Sequence, residues 1–268
     1  MKLTILAENY TALNKNLLAE PGFSAYIEDG EDKILFDCGY SNVFKKNAEF
    51  LHIELGNLTK VVFSHGHDDH TGGLASLLPL VKRGTPLFAH PDTFNIKLRG
   101  EMCTGSRFRE EDLAKTFSLS LKRGPQKISE HITFLGEIPQ TISFETRRQF
   151  DEKVTAKGRR EPDFVLEDSA LVYETETGLY IITGCSHAGI CNIIAYAKEL
   201  FAKPVLGVIG GFHLKEVNEQ VKLTIAFFRR EGIDEAYPCH CTSFMVRAAF
   251  NEAFPVKKEA GVGAEIEW

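Results

Sequence analysis

The feature that most constrains the fold is a segment rich in histidine and aspartate at residues 64–73, which reads Ser-His-Gly-His-Asp-Asp-His-Thr-Gly-Gly. Three histidines and two aspartates fall within positions 65–70, directly after the apolar run Val61-Val62-Phe63. Imidazole nitrogens and carboxylate oxygens are ligands that Zn²⁺, Mn²⁺ and Fe²⁺ accept. A buried strand that leads into such a loop predicts a metal site at its end.

The spacing within this segment suits two neighbouring ligand sets. In an extended or tightly turned chain His65 and His67 point the same way, whereas Asp69 and His70 begin the next turn and face a different point. One pair therefore suits one ion and the other pair a second. A solvated polar loop is the alternative, but the segment is not a low-complexity tract, and the whole chain contains only nine histidines.

The pattern His65-x-His67-x-Asp69-His70, followed by Thr-Gly-Gly-Leu, resembles the signature of the metallo-β-lactamase-fold superfamily of metal-dependent hydrolases. The resemblance implies an α/β (α+β) fold, a four-layer αββα sandwich that forms a single domain over residues 1–268. Residues 97–160 match no motif and have weak periodicity. They are interpreted either as solvated loops and strand edges or as a lid or substrate-loop insertion.

The pattern of apolar residues agrees with two sheets covered by helices. Strands are predicted at 2–8, 23–28, 33–39, 60–63, 86–90, 170–174, 179–184, 204–209, 235–238 and 264–268. Helices are predicted at 42–50, 73–81, 191–201, 217–230 and 244–254. The strands at 170–174 and 179–184 are close enough in sequence to form a hairpin.

Further ligands must come from histidines that are distant in sequence. His187 and His240 each lie between a predicted strand and a predicted helix, where loops project side chains into a cleft, and both are interpreted as metal ligands. His240 also resembles the Pro-x-His motif that supplies the last ligand in this superfamily. His213 follows two glycines and is interpreted as a substrate-binding or catalytic residue, with a ligand role or a local structural role left open. The remaining histidines, His52, His90 and His131, have no such context.

Two ligand sets follow from the resemblance. The first comprises His65, His67 and His187, and the second comprises Asp69, His70 and His240. Asp68 is interpreted as a catalytic base or as a group that orients a ligand, and Asp37 as a second orienting carboxylate. Zn²⁺ is the expected cofactor, with Mn²⁺ or Fe²⁺ as alternatives, and one or two ions are expected.

The chain departs from the superfamily pattern after the predicted hairpin. The strand that commonly ends in Gly-Asp, with the aspartate bridging two metals, here ends in Gly184-Cys185. His187 completes the first site without a bridge, or Cys185 contributes a thiolate, or one ion binds more weakly. Asp168 is another candidate carboxylate but is interpreted as part of a solvated turn. Cys239 and Cys241, which flank His240, are interpreted as packing residues.

The segments at 184–190, 210–214 and 238–242 are similar to one branch of the superfamily. That branch is named after 7,8-dihydropterin-6-methyl-4-(β-D-ribofuranosyl)-aminobenzene-5′-phosphate synthase. It implies an enzyme that uses metal-activated water or a metal-bound phosphate on a small phosphorylated or ester substrate, as a phosphoesterase-like hydrolase or a pterin-type transferase. A non-catalytic metal-binding sensor is the alternative. Six candidate ligands favour catalysis, because a structural zinc site needs four and is closed.

Composition limits the partners. A net charge of −6 argues against nucleic acid, because a phosphate-binding surface is normally basic. No apolar stretch is long enough to predict a signal peptide or a membrane span, so the chain is expected to be cytoplasmic without a membrane partner. Six cysteines in 268 residues predict reduced thiols. A small-molecule substrate is expected, and homo-oligomerisation is left open. Five phenylalanines are interpreted either as rings that stack on a pterin or as ordinary packing residues, namely Phe94, Phe108, Phe150, Phe164 and Phe212.

Overall fold

The computed structural model describes residues 1–154, 158–256 and 258–268, and β-strands make up its centre. Within these residues the strands are, in chain order, β1 (Lys2–Ala7), β2 (Ser24–Asp29), β3 (Asp32–Phe36), β4 (Lys60–Val62), β5 (Thr85–Ala89), β6 (Ile96–Arg99), β7 (Met102–Cys103), β8 (Phe117–Leu121), β9 (Gln126–Lys127), β10 (Ile132–Phe134), β11 (Asp151–Val154), β12 (Arg160–Asp163), β13 (Ala170–Glu174), β14 (Leu179–Thr183), β15 (Val205–Gly211), β16 (Glu235–Cys239) and β17 (Glu265–Glu267).

The helices are short in the first half of the chain and longer in the second. They are α1 (Val43–Phe50), α2 (Asp68–Thr71), α3 (Leu74–Leu77), α4 (Glu110–Leu113), α5 (Ile190–Phe201), α6 (Glu219–Glu231) and α7 (Phe244–Ala253), with a 3₁₀ turn at Leu55–Asn57. Across the described ranges, no helix has the length and apolar character that a bilayer crossing requires.

Two large sheets and one small sheet contain these strands. In the described part of the chain the first sheet has seven strands in the order β17-β1-β2-β3-β4-β5-β8, and the second has six in the order β16-β15-β14-β13-β10-β9. The small third sheet has four strands in the order β12-β11-β6-β7. Strands β3, β4, β5 and β8 run parallel, as do β14, β15 and β16.

Alternating side chains place one apolar layer between the two large sheets and one outside each. On β3, Ile34 and Phe36 face the inner layer, where they meet Leu171 and Ile182 of the second sheet. Leu35 faces the opposite way, into the layer beneath α1 and α3. Full burial of a side chain of this size contributes roughly 1.5–3 kcal/mol. The outer layer of the second sheet packs beneath α5, α6 and α7. The predicted four-layer αββα sandwich is therefore confirmed.

Most predicted elements are confirmed within a few residues, including the hairpin of β13 and β14. The helix predicted at 73–81 is wrong in length, because the helical residues stop at Leu77. Leu78 still has helical φ and ψ, but Pro79 has no N–H to donate to the carbonyl four residues earlier, so the helical hydrogen bonds stop there.

Residues 97–160 contribute strands to all three sheets rather than only loops. Strands β8, β9 and β10 extend the two large sheets, while β7 and β11 belong to the small sheet. These strands are short, but β8 alternates apolar and polar residues as Phe-Ser-Leu-Ser-Leu, so the sequence does contain a strand signal here that the prediction did not use. The small sheet is attached to the metal-motif loop, since the N–H groups of Asp68 and Ser106 donate to the carbonyls of Thr104 and Gly66.

Candidate metal centre

Strand ends from both large sheets meet at one edge of the sandwich and supply the predicted ligands. Strand β4 leads directly into the 64–73 loop, which contains the short helix α2. In the second sheet, His187, His213 and His240 each lie just beyond the carboxyl end of β14, β15 or β16. Because these three strands are parallel, their carboxyl ends reach the same edge. Five loop segments that are distant in sequence therefore converge, counting the one that carries Asp37 after β3.

The first predicted set, His65, His67 and His187, forms a compact triangle of imidazoles. The ring centroids are 4.8 Å apart for His65 and His67, 5.0 Å for His65 and His187, and 4.8 Å for His67 and His187. The Nε2 atoms of all three are buried and have no hydrogen-bond partner among the described residues. Buried polar atoms rarely lack a partner, so three in adjacent rings fit a divalent ion.

The electrostatic surroundings favour the ligating form of this set. Burial, followed by the neighbouring imidazoles, holds the pKa values of His65 and His187 well below the usual 6.5. Both rings are thus neutral at physiological pH, and a neutral imidazole has a lone pair to donate.

The second predicted set is equally close. Ligand atoms of Asp69, His70, His240 and Cys185 all lie within 4.8 Å of one another. Nε2 of His70 is 3.1 Å from Nε2 of His240 and 3.3 Å from Sγ of Cys185. Oδ2 of Asp69 is 3.4 Å from Nε2 of His240. This mixture of nitrogen, oxygen and sulfur donors suits Zn²⁺.

In His65, His70 and His240 a polar side chain contacts Nδ1, the ring nitrogen that is not the predicted ligand atom. Nδ1 of His70 is 2.7 Å from Oδ2 of Asp37, and Nδ1 of His240 is 3.0 Å from Oδ1 of Asn9. The Ser64 hydroxyl lies 2.9 Å from Nδ1 of His65 and donates to Asp37. Such contacts fix the ring orientation and leave Nε2 of each ring pointing into the predicted ligand sets. Asp37 therefore occupies the orienting position expected from the sequence.

Carboxylates also control the charge of the second set. Burial lowers the pKa of His70, but Asp69 and Asp37 outweigh it and raise that pKa to about 9. Burial raises the pKa of Asp69, but the imidazoles of His70 and His240 outweigh it and hold the pKa well below 3.8. The two carboxylates thus favour a positive charge at this position, which either the protonated His70 ring or a bound ion would supply.

The two predicted catalytic residues border the same cleft from different sides. Asp68 begins α2 and is half-buried, and burial together with Asp69 raises its pKa. The ring of His213 lies 4.4 Å from that of His187, and its Nδ1 atom is buried without a hydrogen-bond partner among the described residues. A carboxylate with a raised pKa is a better proton acceptor near neutral pH.

Phe150 covers the imidazoles. Its ring centroid is 5.1 Å from His67, 4.9 Å from His187 and 5.5 Å from His213, yet 39% of the residue is exposed. The guanidinium of Arg99 lies 4.7 Å over the same ring. An aromatic face with a cation above it therefore forms part of the cleft wall.

The family model of the metallo-β-lactamase superfamily matches residues 18–202. The chain belongs to this superfamily. It is 32% identical over 269 residues to the 7,8-dihydropterin-6-methyl-4-(β-D-ribofuranosyl)-aminobenzene-5′-phosphate synthase of Methanocaldococcus jannaschii, a match that covers 95% of this chain and 92% of the relative. It is 33% identical over 243 residues to an uncharacterised protein of the same organism, covering 90% and 91% of the two chains.

A solved structure supports the same assignment. Tm1679, described as a metal-dependent hydrolase of the β-lactamase superfamily, matches with a TM-score of 0.84 and 29% identity, and the match covers 100% of this chain and 99% of that one. Membership of the metallo-β-lactamase superfamily implies divalent-metal binding, and together with the named synthase it supports a metal-dependent enzyme.

Two sequence interpretations of this metallo-β-lactamase-fold protein are wrong. Asp168 is not in a solvated turn: it is fully buried, its Oδ2 accepts a hydrogen bond of 2.9 Å from the Ala188 N–H, and burial raises its pKa to about 6. The Ser169 N–H donates to the carbonyl of Ser64, the first residue of the 64–73 loop, so this turn packs against the loop and not against solvent.

Cys241 is not simply a packing residue. Its sulfur lies within 4.8 Å of ligand atoms of Cys185 and His213. The prediction assumed an extended chain around His240, but His240 has a φ of 50°, which breaks the alternation of side chains. Cys239, by contrast, is fully buried in the layer between the sheets.

Sequence reasoning missed a connection from the small sheet to the metal centre. Oδ2 of Asp151 lies 3.6 Å from Nε2 of His67, and the Asp151 carboxylate also accepts from Arg99 at 2.8 Å and from Thr104 at 2.6 Å. No motif surrounds Asp151 or Arg99, so the sequence alone gives no signal for either residue.

Proposed function

We propose that the chain is a metal-dependent enzyme that hydrolyses a small phosphorylated or ester substrate in the cleft beside Phe150. The observation that carries the proposal is the pair of adjacent ligand sets, with orphaned imidazole nitrogens in one and a carboxylate and a thiol in the other. Zn²⁺ is the ion that this donor set favours. A small molecule rather than nucleic acid is proposed as the substrate, because the net charge of −6 disfavours a phosphate backbone.

Different residues of the chain would bind the ions, transfer protons and contact the substrate. A divalent ion, when bound, would polarise a phosphoryl or carboxyl oxygen and make a water more acidic. The six predicted ligands would hold such ions, while Asp68 accepts a proton at its carboxylate. His213 exchanges a proton or a hydrogen bond at Nδ1, which has no partner among the described residues. Phe150 excludes water and offers a flat apolar face to the substrate, and Arg99 places a positive charge above it.

Turnover of chromogenic substrates tests the proposal. Apoprotein reloaded with Zn²⁺ is expected to hydrolyse bis-p-nitrophenyl phosphate, and activity should disappear with a chelator and return with added Zn²⁺. A protein that binds ions at both sets but turns over neither this diester, nor p-nitrophenyl phosphate, nor p-nitrophenyl acetate contradicts the proposal. That result would favour the sensor alternative.

Pterin-type transfer is the second candidate. It is supported by the 32% identity over 95% of this chain to a protein named as a dihydropterin ribofuranosyl-aminobenzene phosphate synthase. Mass spectrometry of reactions that contain a 6-substituted dihydropterin and the ribofuranosyl-aminobenzene phosphate tests it. A joined product that requires the ion favours transfer over hydrolysis.

A further inference from the structure

Cys185 lies between the two predicted ligand sets. Its Sγ atom is within 4.8 Å of ligand atoms of Asp69, His70 and His240, and it is also within 4.8 Å of ligand atoms of His65 and His187. The side chain is 3% exposed, and the contact with Nε2 of His70 measures 3.3 Å. The sulfur can therefore reach donor atoms of both sets without any change of the fold.

The backbone holds this sulfur in place. Gly184, which follows β14, packs so tightly that a Cβ atom there would lie 2.1 Å from the Ser64 hydroxyl oxygen. On the other side, the Gly211 N–H donates to the Gly184 carbonyl at 2.9 Å. Cys185 is thus held against the metal loop of the first sheet and the β15 end of the second.

We propose that Cys185 provides a thiolate shared by the two ion positions. A group that joins two dications must be anionic and must offer more than one lone pair, and a thiolate meets both conditions. The thiol proton would pass to solvent when the ions bind, which leaves the sulfur anionic. This inference rests on the proposed two-ion centre and adds a preference for thiophilic ions such as Zn²⁺, Co²⁺ and Cd²⁺ over Mg²⁺ and Ca²⁺.

Two neighbours compete for this role. Asp69 also belongs to both sets, since its carboxylate lies within 4.8 Å of ligand atoms of His65 and His67. Cys241 brings a second sulfur close, and its Sγ donates to the Cys185 carbonyl at 3.4 Å. If Asp69 joined the ions and no sulfur were bound, there would be no sulfur signature, whereas a Cys241 ligand would give one that depends on a different residue.

Cobalt spectroscopy separates these cases. Chelator-treated protein is titrated with Co²⁺, and a thiolate-to-cobalt charge-transfer band is measured in the near ultraviolet. The band is expected in the wild type, in Cys241→Ser and in the control Cys103→Ser, whose cysteine is exposed. Cys185→Ser should abolish the band and weaken the binding of one ion by roughly ten- to a hundredfold.

Cys185→Asp provides the complementary test. It restores a carboxylate at the shared position, so it should bind two Co²⁺ ions without the band. If Cys185→Ser fails to fold, as judged by circular dichroism, the absence or presence of the band in Cys185→Asp decides whether Cys185 is the sulfur ligand. A band that survives in either Cys185 variant, or that disappears in Cys241→Ser, overturns the proposal, as does its absence from the wild type. Because absorbance does not depend on turnover, a band without hydrolysis would overturn only the proposed function.

Discussion

Nδ1 of His70 lies 2.7 Å from Oδ2 of Asp37, and both side chains are fully buried. The same carboxylate accepts from the N–H of Ser64 at 2.8 Å and from its hydroxyl at 2.6 Å. Asp37 therefore connects the end of β3 to the 64–73 loop and holds the ring of one predicted ligand, His70. Removal of its charge should therefore weaken metal binding more than it destabilises the fold.

Asp37→Asn is expected to weaken metal binding at the second set by roughly ten- to a hundredfold. The amide cannot accept all three hydrogen bonds and carries no charge to make His70 more basic, whereas asparagine tolerates the φ of 57° at this position. Competition with a chromophoric chelator measures the affinity. Asp32→Asn, at the opposite end of β3 and paired with Lys60, is the matched control. Equal affinities in both variants would falsify the orienting role.

His67→Ala is expected to remove metal from the first set and to abolish most activity. Its Nε2 atom is one of the three orphaned imidazole nitrogens, so the loss leaves two ligands where a tightly held ion needs at least three. Elemental analysis of the purified variant measures the metal content. His131→Ala, whose ring pairs with Asp29 away from the cleft, should keep the full complement. Full metal content in His67→Ala would refute the assignment.

His213 should matter for turnover but not for metal content. His213→Asn is the better variant, because position 213 has a φ of 52° that asparagine tolerates. Loss of a proton-transfer group is expected to reduce kcat by about 10²–10⁴-fold. Metal analysis and steady-state kinetics on the same sample separate the possibilities. Loss of one metal equivalent would instead identify His213 as a ligand.

Asp168→Asn should make the apoprotein more stable at high pH. Burial raises the pKa of Asp168 from 3.8 to about 6, so between these values the folded chain holds a proton that the unfolded chain releases. The contribution to the free energy of unfolding therefore falls as pH rises through this window. The neutral amide avoids that loss, and a gain of up to about 3 kcal/mol is expected at about pH 8, shrinking towards pH 4.

Chemical unfolding of chelator-treated samples at several pH values checks this expectation. Asp234→Asn, at an exposed position, should reproduce the wild-type profile. An Asp168→Asn profile parallel to that of the wild type would show that the buried carboxyl is not the titrating group.

Phe150→Ala should raise KM for substrates with an aromatic group. The lost stacking is worth about 0.5–1.5 kcal/mol, which corresponds to roughly a two- to tenfold increase. Metal content should stay unchanged, because the ring contributes no ligand atom. Phe164→Ala, another half-exposed phenylalanine, is the control in the same kinetic assay. Equal KM values for the wild type and Phe150→Ala would exclude a stacking role.

The sequence was informative where structure depends on neighbours along the chain. The 64–73 segment contains a contiguous motif, and buried strands such as β3 contain an unbroken apolar run, Ile34-Leu35-Phe36, so both were predicted correctly. Strand ends in the second sheet also gave His187 and His240, since a loop histidine after an apolar strand stands out. The structure brings both residues to the predicted sets.

The rest depends on backbone geometry and on tertiary contacts. The left-handed conformation of His240 brings Cys241 towards the cleft, and no residue type in that segment indicates it. Arg99 and Asp151 are 52 residues apart and meet only because β6 pairs with β11. Strand β6 alternates apolar and basic residues over only four positions and buries Lys97 rather than its apolar side chains, and β11 has no apolar alternation, so neither sequence predicted this pairing.

The small sheet has a consequence for how proteins of this kind diversify. Among the described residues it carries Arg99, and Phe150 directly precedes it, yet all six predicted ligands lie outside it. Its hairpins could be exchanged for others of different length while the ion-holding loops stayed the same. Relatives that share the same metal-binding loops could in this way acquire different substrate preferences, through insertions at the one edge of the molecule that carries the small sheet.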